Sequence, residues 1–572
     1  MTHAGTCDNI FITLIGTHGE SKRTKLDSFG KDFKTGMVRY FSLYFCTPRH
    51  LLLIRLEKNN YMFLPENDWF CSLISVKTPE RDVIHFPCYR WMAEGEVIEL
   101  REAKGPLYLP SVVRFSFTKA MEFLLTKNNS LLARLCVHFT CKLEFTCALT
   151  FNNTSSFSHC VKISSQNWDV TFQQTQILFQ QKGNIFLCDY KTLAELPTRE
   201  INGKQQYVAA PLCLLYKNPV GKRLPIAIQL KQQASEENPV FLPSDSEHDW
   251  QLAKIYVRNA DCLEHQASFY YLHTHLLAET FTVSLLRNLP AVHPMYKLLI
   301  PHTRHTLQMN ALIWDRFLGN VSRFPNTSIG GEGMTDLMKR ALSELTYSSL
   351  CLPENISERG LQSIPNFFYR DDGLRLWDLI NDFVRTMVKF YYQSDGDVLQ
   401  DTELQDWIKE IFVQGFLGQS SAGIPQCFST VDEVIKFVTM VIFTVSAQHT
   451  TLKARKFDYG SWFPNSPGSL KRPLPTSKGS SDKNTMLDTL PDINTSAYLV
   501  SVFWLLSKPS ADLVPLGQYP MDCFCHTAPQ KMIRDYQAEL AFLSESIKDK
   551  NAGLQLPYTY LCPDWISNSV SI

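Results

Sequence analysis

Hydrophobic and polar positions fall into two regimes along the chain. Over the first hundred residues, short apolar and aromatic runs are separated by clusters of Gly, Pro, Asn, Asp and charge: IFITLIG, MVRYFSLYF, HLLLIRLEK, WFCSLISV and VIHFPCYRW. Runs of that length, rich in β-branched and aromatic residues, predict the strands of an antiparallel sandwich. From about Asp249 the period lengthens. DWQLAKIYVRNADCLEHQASFYYLHTHLLAETFTVSLLRNL places apolar residues three and four apart and has no Pro until Pro290, which predicts a long helix. VDEVIKFVTMVIFTVSAQHTTLKARKF is apolar nearly all round over residues 434–447, the pattern of a helix buried on every side. WDLINDFVRTMVKFYY and MIRDYQAELAFLSESIKDK read as amphipathic helices, and the proline-rich FPNSPGSLKRPLPTSKGSSDK as a surface loop. GGEG at 330–333 lacks the Lys-Ser/Thr that follows in a phosphate loop and reads as a turn. The chain is therefore multidomain: an N-terminal all-β unit followed by a large, mainly α-helical body. Residues 105–176, including LARLCVHFTCKLEFTCALTFNNTSSFSHCVKISS, follow neither period and stand as an atypical connecting segment.

Composition narrows the function classes. Fifty-six Lys and Arg cancel fifty-six Asp and Glu over 572 residues, which argues against a nucleic-acid binder that must neutralise many phosphates. The sixteen Cys are scattered without paired CxxC sets, so neither a zinc ribbon nor a disulfide scaffold is expected. MTHAGTCDNIFITLIG lacks a basic region before an apolar core, and no uncharged run reaches the roughly 20 residues of a membrane span. A cytoplasmic protein is expected.

Two features carry candidate chemistry. His265, His273 and His275 lie on the long predicted helix, and His265 and His275, ten apart, fall roughly on one face. His449 ends the all-apolar helix. Three His on one helix suit a metal, although a buried, hydrogen-bonded His is the commoner explanation of any one of them. In the first unit, YMFLPENDWF gathers Tyr61, Phe63, Trp69 and Phe70 in a candidate loop. Trp69 and Phe70 read either as packing residues or as a tip that contacts a membrane surface.

These residues sit in longer phrases that resemble the animal lipoxygenases. VHPMYKLLIPH (292–302) matches their second signature almost letter for letter. HQASFYYLHTHLLAE (265–279) resembles the first, and FTVSAQH (443–449) resembles the segment carrying the third histidine ligand. GNIFLCDYKTL, PIAIQL, NPVFLPSD, TYSSLCLPE, FFYRDDGL and LPYTYLCPD also look like segments of the family. LDSFGKDFKTG and YRWMAEGEVIELREA are most like the epidermal-type members, which include a hydroperoxide isomerase. The resemblance implies a lipid-binding PLAT sandwich over 1–104 and a lipoxygenase catalytic-type domain over 177–572. It further implies one non-haem iron, and polyunsaturated fatty acids or their hydroperoxides as the molecules bound. Dioxygenation or isomerisation would be the reaction, with peripheral membrane contact through the sandwich.

Carried over residue by residue, the implied iron ligands are His275, His449 and the terminal carboxylate of Ile572. Tyr270 stands where the family has a histidine, and Lys453 where it has an asparagine-type ligand. Gln266 takes a position that supports the site from behind. Ile313 occupies the position governing oxygen access, usually Ala or Gly, and Leu312 stands where an Arg is frequent. Lys31, Asp32 and Lys34 fall on the calcium loop, and two lysines there argue against calcium. An ammonium has no lone pair to give a metal, and a phenol binds ferric iron only as phenolate. Two His and one carboxylate are nevertheless a competent non-haem iron set. Two readings follow: an iron enzyme acting on fatty acids, or a catalytically impaired descendant that keeps the fold and binds lipid.

Overall fold

The computed structural model describes residues 8–101 apart from 17–18, 27–32, 34–40, 42–50, 60–68, 78–82, 93–94 and 96. It then describes 160–162 and 184–571 apart from 220, 314–326, 508–512, 521–522 and 555. The chain divides into two compact units, Met1–Lys119 and Ala120–Ile572.

The first unit contains β1 (Asn9–Gly16), β2 (Leu51–Asn59), β3 (Trp69–Lys77), β4 (Val83–Met92) and β5 (Val97–Arg101). β2 lies between β1 and β5 in one antiparallel sheet, and β3 pairs with β4 in another. Ile10, Ile12 and Leu14 alternate along β1, so the two-residue period turns all three to one face. They meet Ile54, Leu56, Ile98 and Leu100 of their own sheet and Trp69, Cys71, Phe86 and Met92 of the other in a single core. This is the sandwich that the apolar runs predict. One expectation needs correcting. Trp69 is 8 % exposed and opens β3, with its ring edge-on to Phe33 at 5.0 Å. It is a core residue, not a membrane-contacting loop tip. Phe70 follows it in the same strand, but its side chain lies outside the described residues, as do Tyr61, Phe63, Lys31, Asp32, Lys34 and all of MVRYFSLYF except Phe41.

The second unit begins with a sheet of β6 (Cys160–Lys162), β7 (Ile185–Asp189), β8 (Leu212–Lys217) and β9 (Arg223–Gln229), each paired with the next. β6 is the described part of the atypical segment; its Val161 sits opposite Leu187. The helical body follows. α1 (Glu247–Glu264) runs into a π-helical stretch, His265–Leu276, and on into α2 (Leu277–Asn288). Next come α3 (Thr306–Ile313), α4 (Gly330–Glu344) and α5 (Phe368–Tyr391). α6 (Val431–Phe443) continues through π-helical Thr444–Gln448 into α7 (His449–Gly460), and α8 (Thr527–Ala552) lies near the C-terminus. A Thr430/Glu433 capping box starts α6, satisfying backbone donors the helix cannot pair itself. Residues 437–447 are buried without a break, as the all-round apolar pattern requires. α5 packs on α6 through Trp377 against Phe443, and on α8 through Phe383 stacked 4.3 Å from Tyr536.

Two other expectations change. GGEG is not a turn but the start of α4, entered through Gly330 at φ +58°; a Cβ on Gly333 would come within 2.9 Å of the Pro197 carbonyl oxygen. The proline-rich segment is partly buried rather than a free surface loop. Asn259 Nδ2 donates to the Pro467 carbonyl at 2.8 Å, and Tyr256 Oη to the carbonyls of Arg472 and Pro473, both at 2.8 Å. Polar groups of α1 thus hold a chain that cannot form its own ladder.

Candidate metal centre

The π-helical winding decides which side chains meet. Its hydrogen bonds span five residues instead of four, so positions five apart come into line. Tyr270 and His275 are such a pair, with ring centroids 4.8 Å apart. The same winding breaks the expected alignment of His265 with His275. His265 and His273 line a cavity of about 260 Å³ with Ser268, Phe269, Gln448 and Thr451, and neither His275 nor Tyr270 borders it. That volume is below the roughly 300–1,000 Å³ common for ligand pockets. Burial alone holds the His273 imidazole down to about 4.

Opposite the π-helical stretch, α7 begins at His449. His449, Lys453 and Lys456 follow at spacings of four and three, one face of an α-helix. All three are buried. His449 Nε2 lies 3.2 Å from His275 Nε2, and the Tyr270 ring stacks 5.6 Å from that of His449. Asn310 on α3 fixes the orientation of His275. Its Nδ2 donates to the His275 carbonyl at 2.6 Å and to Glu279 Oε2 at 2.8 Å. Its Oδ1 is thereby the atom facing His275 Nδ1, at 3.1 Å, and as a carbonyl it can only accept. The His275 proton therefore sits on Nδ1 and the lone pair on Nε2 points at His449. Burial, the charge of Lys456 and that of Lys453 hold His275 down to about 3, against the opposing bond to Asn310. Burial, His275 and both lysines hold His449 well below its usual range.

The rest of the centre is less suited to a metal. Tyr270 is 5 % exposed, its hydroxyl finds no partner among the described residues, and burial raises its pKa. Lys453 Nζ donates to Ser571 Oγ at 3.2 Å, and burial pushes its amine down to about 8. Lys456 Nζ donates to Gln266 Oε1 at 2.9 Å and lies 2.8 Å from the centroid of the Tyr270 ring. Burial, with Lys453 nearby, pushes that amine well below its usual range.

Two nitrogens bound at about 2.1 Å to one ion at a right angle would be about 3.0 Å apart, so the imidazole pair alone is well spaced for a cation. The full set of donors is not. At two positions where the resemblance implies an imidazole and an amide stand a phenol kept protonated and an amine, and Ile572 lies outside the described residues. The described residues therefore do not fit the complete iron set the sequence resemblance implies.

Sequence reasoning brought Gln266, Tyr270, His275, His449 and Lys453 to one place. It did not bring Ile313, which is half-buried at the end of α3 and packs against the hydrophobic core. Lys456 was missed, although its spacing from His449 and Lys453 was legible. Asn310 was missed as well; nothing in the sequence marks it as the partner of His275.

A second group, His293, Asp401 and Glu403, brings one donor atom from each within 4.8 Å. His293 Nδ1 accepts from the Met295 N–H, which puts its proton on Nε2, 3.0 Å from Asp401 Oδ2. Asp401 also accepts from Tyr392 Oη at 2.6 Å and from the Leu404 N–H at 2.9 Å. Burial raises the Asp401 carboxyl, but these bonds outweigh it and hold the group down to about 2. This group caps helices, and a cation there would have to displace those bonds.

Comparison with known proteins agrees with this architecture. A PLAT/LH2 domain model matches residues 1–99 and a lipoxygenase model residues 128–559. Hydroperoxide isomerase ALOXE3 of Homo sapiens is 38 % identical, with 100 % of this chain and 98 % of that protein covered. That alignment runs over 699 residues against 572 here, so more than a hundred positions of the relative have no counterpart. The 12R-type arachidonate 12-lipoxygenase of Rattus norvegicus is 34 % identical, with 100 % and 98 % covered. The crystal structure of coral 8R-lipoxygenase superposes with a TM-score of 0.74 at 26 % identity, again over 100 % and 98 %. Calcium activation through a C2-like domain is described for that coral enzyme.

Proposed function

Because this chain belongs to the lipoxygenase family, we propose that it binds polyunsaturated fatty acids or their hydroperoxides and has an incomplete metal centre with weak or no turnover. One observation carries the second half of this reading: two lysines, Lys453 and Lys456, are buried beside the imidazole pair. Lys453 stands where the resemblance implies a neutral donor, and burial lowers its amine only to about 8, so near neutral pH it is an ammonium, which repels a cation at short range. No carboxylate pairs with Lys453 or Lys456 among the described residues. The lipid half rests on the family, whose relatives include a hydroperoxide isomerase and an arachidonate lipoxygenase. Peripheral membrane contact through the PLAT unit belongs to the same proposal. No described helix is long and apolar enough to cross a membrane.

A second reading is favoured by the 3.2 Å spacing of His275 and His449 and by the tautomer that Asn310 imposes. On it the centre keeps iron on two imidazoles and a carboxylate, and the chain is a lipoxygenase-type dioxygenase or hydroperoxide isomerase. Elemental analysis of the purified full chain, beside an arachidonate-binding titration followed by tryptophan fluorescence, separates the two. The first reading expects saturable lipid binding with iron well below one per chain. Stoichiometric iron with turnover of arachidonate or its hydroperoxides would establish the second. Failure to bind lipid would sink both.

A further inference from the structure

Pro87 interrupts the ladder between β3 and β4. It has no N–H to give its partner strand, and proline within a sheet is confined to edges and bulges. The register shifts there: Cys71 pairs with Arg90, but Leu73 pairs with Pro87. One residue of β3, Ser72, therefore stands against two of β4, Cys88 and Tyr89, which is the pattern of a β-bulge. The bulge brings two thiols together. Cys71 lies in the sandwich core at 4 % exposure, and Cys88 is half-buried and packs against that core. No disulfide joins them; instead the Cys71 S–H is hydrogen-bonded to Cys88. That bond, then burial and the charge of Cys88, hold the Cys71 thiol well above its usual range.

We propose that Cys71 and Cys88 are an oxidisable pair: a hydroperoxide converts Cys88 to the sulfenic acid, and Cys71 then closes a disulfide that staples β3 to β4. In the first step the Cys88 sulfur attacks the hydroperoxide and the O–O bond breaks. One oxygen stays on sulfur as hydroxyl, and the other leaves as the alcohol with the thiol proton. In the second step the Cys71 sulfur displaces that hydroxyl, which leaves as water with the Cys71 proton, and the S–S bond forms. Two thiols lose two electrons and one peroxide is reduced. The roles follow exposure. Cys88 is the sulfur that a dissolved oxidant reaches, and Cys71, buried and holding its proton, waits in contact with it. The sulfurs have only to close from hydrogen-bond contact to the roughly 2.0 Å of a disulfide. The extra residue of the bulge is not tied into the ladder, so this closure leaves the flanking pairs intact. Cys188 and Cys213 supply the contrast: they are direct partners between β7 and β8, but at 1 % and 0 % exposure no oxidant reaches either in the folded chain. The proposal is independent of the metal-centre reading, since any small hydroperoxide serves as oxidant.

The test treats the reduced, desalted full-length chain with an excess of tert-butyl hydroperoxide, then alkylates and digests it without reductant. Mass spectrometry should find Cys71 and Cys88 in one cross-linked peptide pair that dithiothreitol separates, with Cys188 and Cys213 still as thiols. Closing the loop between residues 71 and 88 should slow proteolytic cleavage within residues 8–101 by roughly 10- to 100-fold. Cys71→Ser should leave Cys88 as a sulfenic acid that dimedone traps, whereas Cys88→Ser should leave Cys71 unmodified. An unaltered chain that keeps both thiols under the peroxide refutes the proposal. So does a Cys71–Cys88 bridge that appears only in urea, or a Cys188–Cys213 bridge formed in its place. Dimedone trapped on Cys71 in folded Cys88→Ser overturns the order of the two steps. Should either variant not fold, the cross-link map of the unaltered chain decides alone.

Discussion

Replacing Asn310 by Ala removes one side chain and the three hydrogen bonds it makes. Asn310 is 2 % exposed and bridges α3 to the His275 side chain, the His275 carbonyl and Glu279. A buried donor or acceptor left without a partner costs about 1–3 kcal/mol. The His275 Nδ1–H and carbonyl are buried and bear that cost, whereas the half-buried Glu279 can recover water. Allowing for partial relaxation, the sum is about 3–4 kcal/mol. It falls on the junction of the π-helical stretch with α2, so it should appear as local opening before global unfolding. Hydrogen exchange followed by mass spectrometry on peptides spanning 268–282 should then accelerate roughly 150- to 900-fold. Peptides from α5 and α8 should change little. Asn310→Asp keeps an acceptor for Nδ1 but loses both donated bonds and sets a carboxylate beside Glu279, so it should open the junction at least as much. Nitrogen NMR of His275 offers an independent readout, with Nδ1 protonated in the unaltered chain and a tautomer mixture in Asn310→Ala. If exchange at the junction changes by less than about threefold, Asn310 does not hold this helix and the tautomer argument fails with it.

Three further outcomes follow from the packing. A Cβ at Gly415 would lie 2.2 Å from Thr280 Cγ2, so Gly415→Ala should cost about 1–3 kcal/mol, and Thr280→Ala in the same chain should recover most of the loss in a urea melt. No recovery would show that the strain lies elsewhere. Trp69→Ala empties part of the sandwich core and should destabilise the first unit by about 3–5 kcal/mol, seen as faster proteolytic cleavage within residues 8–101 of the full chain. Loss of vesicle binding with unchanged protease resistance would instead restore Trp69 as a lipid contact. Burial, then the charges of Asp261, Glu344 and Asp189, push the Glu264 carboxyl from 4.5 up to about 8. The folded chain therefore holds a proton that the unfolded chain has lost, and stability falls as pH rises between those two values. Glu264→Gln should flatten that slope in urea midpoints at pH 5, 6.5 and 8, and equal slopes in both proteins would refute the assignment.

How much of this was legible in the sequence depends on the range of the interaction concerned. Period-two runs such as IFITLIG and the all-round apolar 434–447 segment reported local geometry, and local geometry is what periodicity encodes. Trp69 was left open between core and tip because a run of aromatics near Pro and Asn looks the same whether its rings turn inward or outward; only its burial in the folded sandwich decides. His265 and His275 were assigned to one face on an α-helical period, and the π-helical winding moved that face by one residue per turn. No composition signal announces such winding in HQASFYYLHTHL. Family resemblance supplied the ligand positions but could name only positions at which the family has ligands. Lys456 is not one of them, so a scheme that asks which donors are missing cannot notice a side chain that has been added beside them. The same helix makes the difference concrete. At 453 the question is what replaces a donor, and the answer is an amine bonded to Ser571. At 456 the question is what occupies the space beside the donors, and the answer is an amine on an aromatic face, bonded to Gln266. Losing a donor weakens a metal site in steps, since the remaining ligands still attract the ion.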